Sequence, residues 1–445
     1  MRVDVKNFGI IENAEIELNG LTIIAGENDS GKSTFGKIMF TLFHTLQNYK
    51  EDFKKEKVKA INSLISQVAF ILSSRNDEAY EDFRRLEINS ANLGPEQLEK
   101  HTAELCKKIK ENGEYDNLVL AKIDEIEKVN GMKLDDTETK KRFVEKAFYF
   151  AFHDQIINPC LCDGPKIEVF RKNEEPEIKL EISPNNKSMI YYEKEDALLF
   201  KDVVFVGTTS FFEFGDIVKY ADTEDVPEYV RDIVYKIERA SFKGDMNKFG
   251  IDSEFTTEFE PAEFIADIIL GEMKYDIPKN DFYYTKTGAD ESNRKDNEKN
   301  NDKNKVFTQA HRARNTASGI KTFGIIQMLS KYGFMKAGNL IIIDEPEAHL
   351  HPMWQILFAE LLVKLREKTG VTILLSTHST YFIEALKVYS EKYEIENQTE
   401  FYFAKKDTIF CSTIKNVTSD LEIIFETLAL PFEKLDEVDM DFDFD

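Results

Sequence analysis

Few cysteines, no long apolar run and a shortage of positive charge bound the reading of this chain before any motif does. Four cysteines occur in 445 residues, Cys106, Cys160, Cys162 and Cys411, and the chain opens on a strand-like MRVDVKNFG instead of a signal-like leader. Disulfides are not expected, and a reducing, cytoplasmic setting is. No apolar run approaches the roughly 18 residues that span a bilayer. The longest, Leu340 to Ile343 and Val371 to Leu375, have the length of buried strands, so transport through membrane segments of its own is excluded. Basic residues number 58 against 82 acidic ones, a formal net charge of −24. Such a charge repels polyanions at long range and disfavours non-specific binding to nucleic acid or an anionic membrane. Internal repeats are absent, and Asp290 to Lys305 contain no apolar side chain at all, which marks a solvated linker or loop.

What is present suffices for packed cores: 42% hydrophobic residues, with 35 Phe and 17 Tyr. The length allows about three domain-sized units or one domain with large insertions, and the pattern along the chain favours the second. Residues 1–48 alternate strand, turn, strand, Gly-rich turn and helix. Residues 49–160 turn rich in Glu, Lys and Leu with helical apolar spacing (Ile61, Ile65, Ala69, Leu72) and read as a helical insertion. Residues 161–215 carry alternating β-branched stretches, with Pro-Asn-Asn at 184–186 as a turn, that read as strands returning to the sheet. A second helical insertion is expected over 216–285 and a polar linker over 286–306. In 307–430 the α/β pattern resumes, with helices from about Ser318, Pro352 and Thr380 and buried strands at Leu340 to Ile343 and Val371 to Leu375. An acidic tail, 431–445, closes the chain. Strand, crossover helix and strand imply a parallel sheet and an α/β fold.

Gly26-Glu27-Asn28-Asp29-Ser30-Gly31-Lys32-Ser33, followed by Thr34, fits the phosphate-loop pattern G-x-x-x-x-G-K-[ST] between a buried strand and a helix. The glycines let backbone N–H groups face the phosphates of ATP, Lys32 neutralises their β and γ oxygens, and the Ser33 hydroxyl suits Mg²⁺. Leu340 to Pro346, LIIIDEP, is an apolar strand ending in two carboxylates at the edge where parallel α/β sheets bind ligands. Asp344 is suited to hold Mg²⁺ and Glu345 to orient and deprotonate the attacking water. A further buried strand ends in Ser376-Thr377-His378-Ser379. His378 can reach a γ-phosphate, and Ser379 can cap the helix that follows.

Together the phosphate loop, the distant IIIDEPEAHLHP and the STHS strand end resemble the ATP-binding-cassette type of ATPase, the soluble branch holding RecF, the SMC heads and the overcoming-lysogenization-defect (OLD) proteins. The resemblance covers residues 1–48 and 307–410. VKNFGIIENAEIEL resembles the N-terminal hairpin of that branch, and Arg314 to Lys321, RNTASGIK, looks like a one-glycine version of its signature motif. The resemblance implies a P-loop NTPase fold, an ABC-ATPase-like head with helical insertions, that binds ATP and Mg²⁺ and is grouped among AAA family ATPases. It further implies that Ser318 and Gly319 act in trans on nucleotide held by a second copy, hence a homodimer or higher oligomer. The usual Q-loop glutamine has no counterpart in VVFVGTTSFFEF at 203–214. Within the branch, length and signature look most like the ATPase subunits of anti-phage defence systems of the PARIS or Septu kind, which implies a separate nuclease effector encoded nearby. A RecF-like or SMC-like ATPase that engages DNA directly is the rival expectation, and the charge disfavours it. Cys160 and Cys162 with His153 lack the second ligand pair of a zinc site. His349 and His351 read as loop-positioning or interface residues, and Asp439 and Asp441 as part of a solvated tail.

Overall fold

The computed structural model describes residues 1–74, 78–90, 93–112, 115–171, 175–183, 189–194, 200–207, 212, 226–247, 260–289 and 306–429. The chain divides into two compact units, Met1–His44 with Ala147–Asp445, and Thr45–Lys146.

In the larger unit an 11-stranded sheet runs in the order β6-β5-β4-β1-β2-β14-β13-β3-β12-β11-β7 among the described residues. Its parallel part holds β13 (Thr399–Lys406), β3 (Leu21–Gly26), β12 (Thr372–Thr377), β11 (Asn339–Asp344) and β7 (Asp202–Val206). These strands read as continuous apolar runs because both sheet faces are covered: every residue of β3 is buried, as are Asn339 to Ile343 of β11. The other wing pairs β1 (Arg2–Phe8), β2 (Ile11–Glu17), β4 (Lys166–Phe170), β5 (Ile178–Ile182) and β6 (Met189–Glu193) antiparallel, and β14 (Ser412–Asn416) joins it to β13. Along β1, β4 and β5 buried residues alternate with more exposed ones, as one covered face requires.

Helix α1 (Lys32–Leu72) starts at the Gly-rich turn and continues into the smaller unit. That unit adds α2 (Glu78–Asn89), α3 (Pro95–Asn112), α4 (Asn117–Asn130) and the start of α5 (Asp136–Phe152), closing a core on Ile65, Leu72, Phe83, Leu98 and Ile123. The larger unit continues with α6 (Glu228–Asn247), α7 (Pro261–Ile269), α8 (Ser318–Lys331), α9 (Pro352–Thr369) and α10 (Thr380–Lys392). On α1, His44 Nε2 lies 3.0 Å from Asp232 of α6, and Lys236 Nζ donates to Asp232 Oδ2 at 2.7 Å and to the Val203 carbonyl at 2.7 Å. A buried polar chain thus ties the first helix to α6 and to edge strand β7.

The expectation of a helical stretch through 285 is corrected. After α7 the chain forms β8 (Gly271–Asp276) and β9 (Asp281–Ala289), which with β10 (Val306–Arg312) make a separate antiparallel sheet. Alternation of buried Met273 and Tyr275 with more exposed Glu272 and Lys274 is the period-2 signal of these strands. The linker expected over 286–306 therefore begins inside a strand, and its 290–305 lie outside the described residues, as do the 184–186 turn and the tail with Asp439 and Asp441.

Gln327, 1% exposed on α8, joins this small sheet to the head. Its Oε1 accepts from Met273 N at 2.7 Å, and its Nε2 donates to the carbonyls of Ala262 (3.1 Å) and Gly271 (3.3 Å). Gln327→Leu leaves those backbone groups without their partner, so unfolding in denaturant is expected to become easier by about 1–3 kcal/mol. An unchanged midpoint would show that the amide carries no net stabilisation.

Candidate active site

Parallel register brings the chemistry to one sheet edge. Ala25 of β3 pairs with Thr377 of β12, and Ser376 pairs with Asp344 of β11, so Gly26, Thr377 and Asp344 end their strands side by side. From Gly26 the chain turns through exposed Glu27, Asn28 and Asp29 to buried Ser30, Gly31 and Lys32 and half-buried Ser33 and Thr34 at the start of α1. The turn is left-handed at Asp29 (φ +58°) and Gly31 (φ +90°). A Cβ on Gly31 would meet Ile11 at 2.7 Å, so glycine is required there by both backbone and space. Asp29 pairs with Lys406 at 3.5 Å on the rim.

Ser33 Oγ donates to Asp344 Oδ1 at 2.8 Å, joining residues 311 positions apart, and Ser376 Oγ donates to the same oxygen. Lys32, 3% exposed, donates to the carbonyls of Gly26 (3.0 Å) and Glu27 (2.6 Å), and its Nζ lies 4.0 Å from Glu345 Oε1. Burial lowers the Lys32 pKa, and the carboxylates of Glu345 and Asp344 oppose that shift. Glu345 sits in the left-handed region (φ +46°, ψ +55°), a conformation that costs a non-glycine residue about 1–3 kcal/mol. Its N–H is fixed by the Ser376 carbonyl at 3.1 Å, and the turn projects the carboxylate toward Lys32 and toward His378, whose Nδ1 lies 3.7 Å from Glu345 Oε1.

Lys32, Ser33, Asp344, Glu345 and His378 are thus gathered in one place. Ser318 and Gly319 begin α8, where a Cβ on Gly319 would stand 2.9 Å from the Trp354 ring and 3.2 Å from Leu350. No hydrogen bond or ion pair among the described residues joins them to the gathered group. His351 caps α9 by accepting from Met353 N, and Ser379 caps α10 by accepting from Phe382 N. Among the described residues no group of three His, Cys, Asp or Glu side chains is placed to hold a metal ion, and Cys160 and Cys162 are exposed and free.

Two residues at this edge were missed by the sequence reading. Tyr229 on α6 packs on Phe205 (4.8 Å between ring centres), and its hydroxyl pKa is raised by burial and then by Asp344. Glu347, 4% exposed, accepts through Oε1 from Thr377 Oγ1 (2.5 Å) and from His378 N (2.8 Å). A glutamate in a turn after a strand reads as solvated, and nothing in its spacing marks it as buried.

Burial pushes the Glu347 carboxyl above the ordinary range, against the pull of Thr377 and the His378 N–H. With the folded pKa above the unfolded one, stability is full below about pH 4.3 and is lost as pH rises through the folded value. Glu347→Gln cannot ionise, so it is expected to match the wild type in Tm near pH 4 and to exceed it at pH 7–8. Thermal scans across that range that show the gap shrinking or reversing with rising pH would contradict this.

A strand–loop–helix phosphate turn on a mixed sheet of this order is a P-loop, ABC-ATPase-like α/β fold. Among solved structures, the SMC head bound to the C-winged helix domain of ScpA is similar at 10% identity and a TM-score of 0.41, covering 95% of this chain and 98% of that one. The SMC head domain from Thermotoga maritima follows at 12% and 0.38, covering 94% and 98%. The Pyrococcus furiosus Smc head with an extended coiled coil, bound to the C-terminal domain of ScpA, stands at 10% and 0.40, covering 96% and 98%. A comparison with curated proteins found no match. A family model described as "AAA domain, putative AbiEii toxin, Type IV TA system" matches residues 48–384, starting beyond the phosphate turn. With about three quarters of its length inside that match, the chain belongs to this family of AAA-domain ATPases.

Proposed function

We propose that the protein is a Mg-ATP-dependent ATPase working as an oligomeric nucleotide-driven switch, the ATPase component of a prokaryotic anti-phage defence system that controls a separate nuclease effector. The observation that carries the hydrolytic part is the meeting of Ser33 with Asp344 at 2.8 Å, beside Lys32 and Glu345. The residues fit the ligands: Ser33 and Asp344 offer the hard oxygen donors that suit Mg²⁺. Ser30 Oγ, buried in the phosphate turn, has no hydrogen-bond partner among the described residues. Bound Mg²⁺ supplies charge neutralisation and orientation at the phosphates.

In this reading the backbone from Gly26 to Thr34 cradles the phosphates, and Lys32 exchanges its two carbonyl partners for phosphate oxygens. Glu345, aimed by its left-handed backbone, orients the attacking water and takes its proton, while His378 faces the γ-phosphate. Ser318 and Gly319 close over nucleotide held by a second copy. Residues 1–48, 161–215 and 307–430 make the head, and the segments at 49–160 and 216–285 relay its state. The defence assignment is supported by the family's description, which names an AbiEii toxin and a type IV system. The net charge of −24 favours a protein effector over DNA.

Glu345→Gln keeps shape and nucleotide contacts but removes the base, so phosphate release is expected to fall about 100-fold or more. Light scattering of this variant should show a rise in mass with Mg-ATP, or an oligomer that Mg-ATP stabilises. A monomer of unchanged mass would sink the trans-acting role of Ser318 and Gly319.

A further inference from the structure

We propose that Glu347 is a positioning residue that holds His378 against Glu345, acting on catalysis through the histidine without touching substrate. The inference rests on the hydrolytic reading above. Geometry supports it at three points. Glu347 Oε1 takes both the Thr377 hydroxyl and the His378 N–H, which fixes the backbone where β12 ends. The same oxygen lies 3.4 Å from His378 Nδ1, while Glu345 Oε1 lies 3.7 Å from that nitrogen, so one ring edge faces two carboxylates. Those contacts orient the Nδ1 edge inward and leave Nε2 as the nitrogen available to a phosphate.

The loop bearing Glu347 is itself locked to the same strand end. Gln355 on α9 donates to the Leu350 carbonyl at 3.0 Å and accepts from Ser379 Oγ at 2.6 Å. The segment after β11 and the segment after β12 are therefore clamped twice, by Glu347 and by Gln355, on either side of His378. The other oxygen, Glu347 Oε2, is buried without a partner among the described residues. A carboxylate retained in that state costs stability, and residues that trade stability for function concentrate at active sites.

The test is a double-mutant cycle on ATP turnover with Glu347→Gln, His378→Ala and the pair, alongside ¹⁵N spectra of the histidine rings. Expected are a kcat for Glu347→Gln at least tenfold down, an unchanged KM for ATP and no loss of Tm. The pair should be no slower than His378→Ala alone, because Glu347 acts only through the ring. The ring signal missing from His378→Ala should shift in Glu347→Gln. Additive effects with an unmoved His378 signal would overturn the inference. Wild-type protein without turnover would instead overturn the hydrolytic reading, and the His378 signal would still decide whether Glu347 sets the ring.

Discussion

The hydrogen bond from Ser33 to Asp344 is the constraint on which the rest of the head depends. It joins the first turn of α1 to the end of β11, and the sheet brings the two together by placing β12 between β3 and β11 in parallel register. Everything between, including the whole smaller unit, is inserted between two halves of one site. Large insertions between contacting elements are tolerated because closing a longer loop costs little more than closing a short one.

Charge is arranged around that junction with economy. Lys32 is the buried cation there, and three carboxylates, those of Glu345, Asp344 and Glu347, act on it. Two of them have local donors: Asp344 the hydroxyls of Ser33 and Ser376, and Glu347, through one oxygen, Thr377 and a backbone N–H. Glu345 is the exception, partly exposed and held by a left-handed backbone. Backbone strain falls on the residue proposed to act on water, where a polyphosphate with its metal would rebalance the field.

Much of this was legible in the sequence for physical reasons. The strands β3, β11 and β12 are buried on both faces, so their apolar runs stand out, and the glycines of the phosphate turn are dictated by left-handed backbone and close packing. Half-exposed strands are harder to read: β8 and β9 directly follow helix α7 in sequence, and their period-2 alternation is easily merged with its helical spacing. Glu347 was invisible because its burial depends on Thr377 and His378, some thirty positions away. The close packing of Gly319 on Trp354 and Leu350 likewise joins residues some thirty positions apart, which no local pattern announces.

The central claim is that Ser33 and Asp344 form one metal-dependent nucleotide site. Calorimetric titration of ATP into the wild type and into Asp344→Asn, each with Mg²⁺ and with EDTA, tests it most directly. The expected result is binding by the wild type that weakens at least tenfold when Mg²⁺ is removed, and a variant whose affinity is the same with and without the metal. Equal dependence on Mg²⁺ in both proteins, or no binding by the wild type, would contradict it.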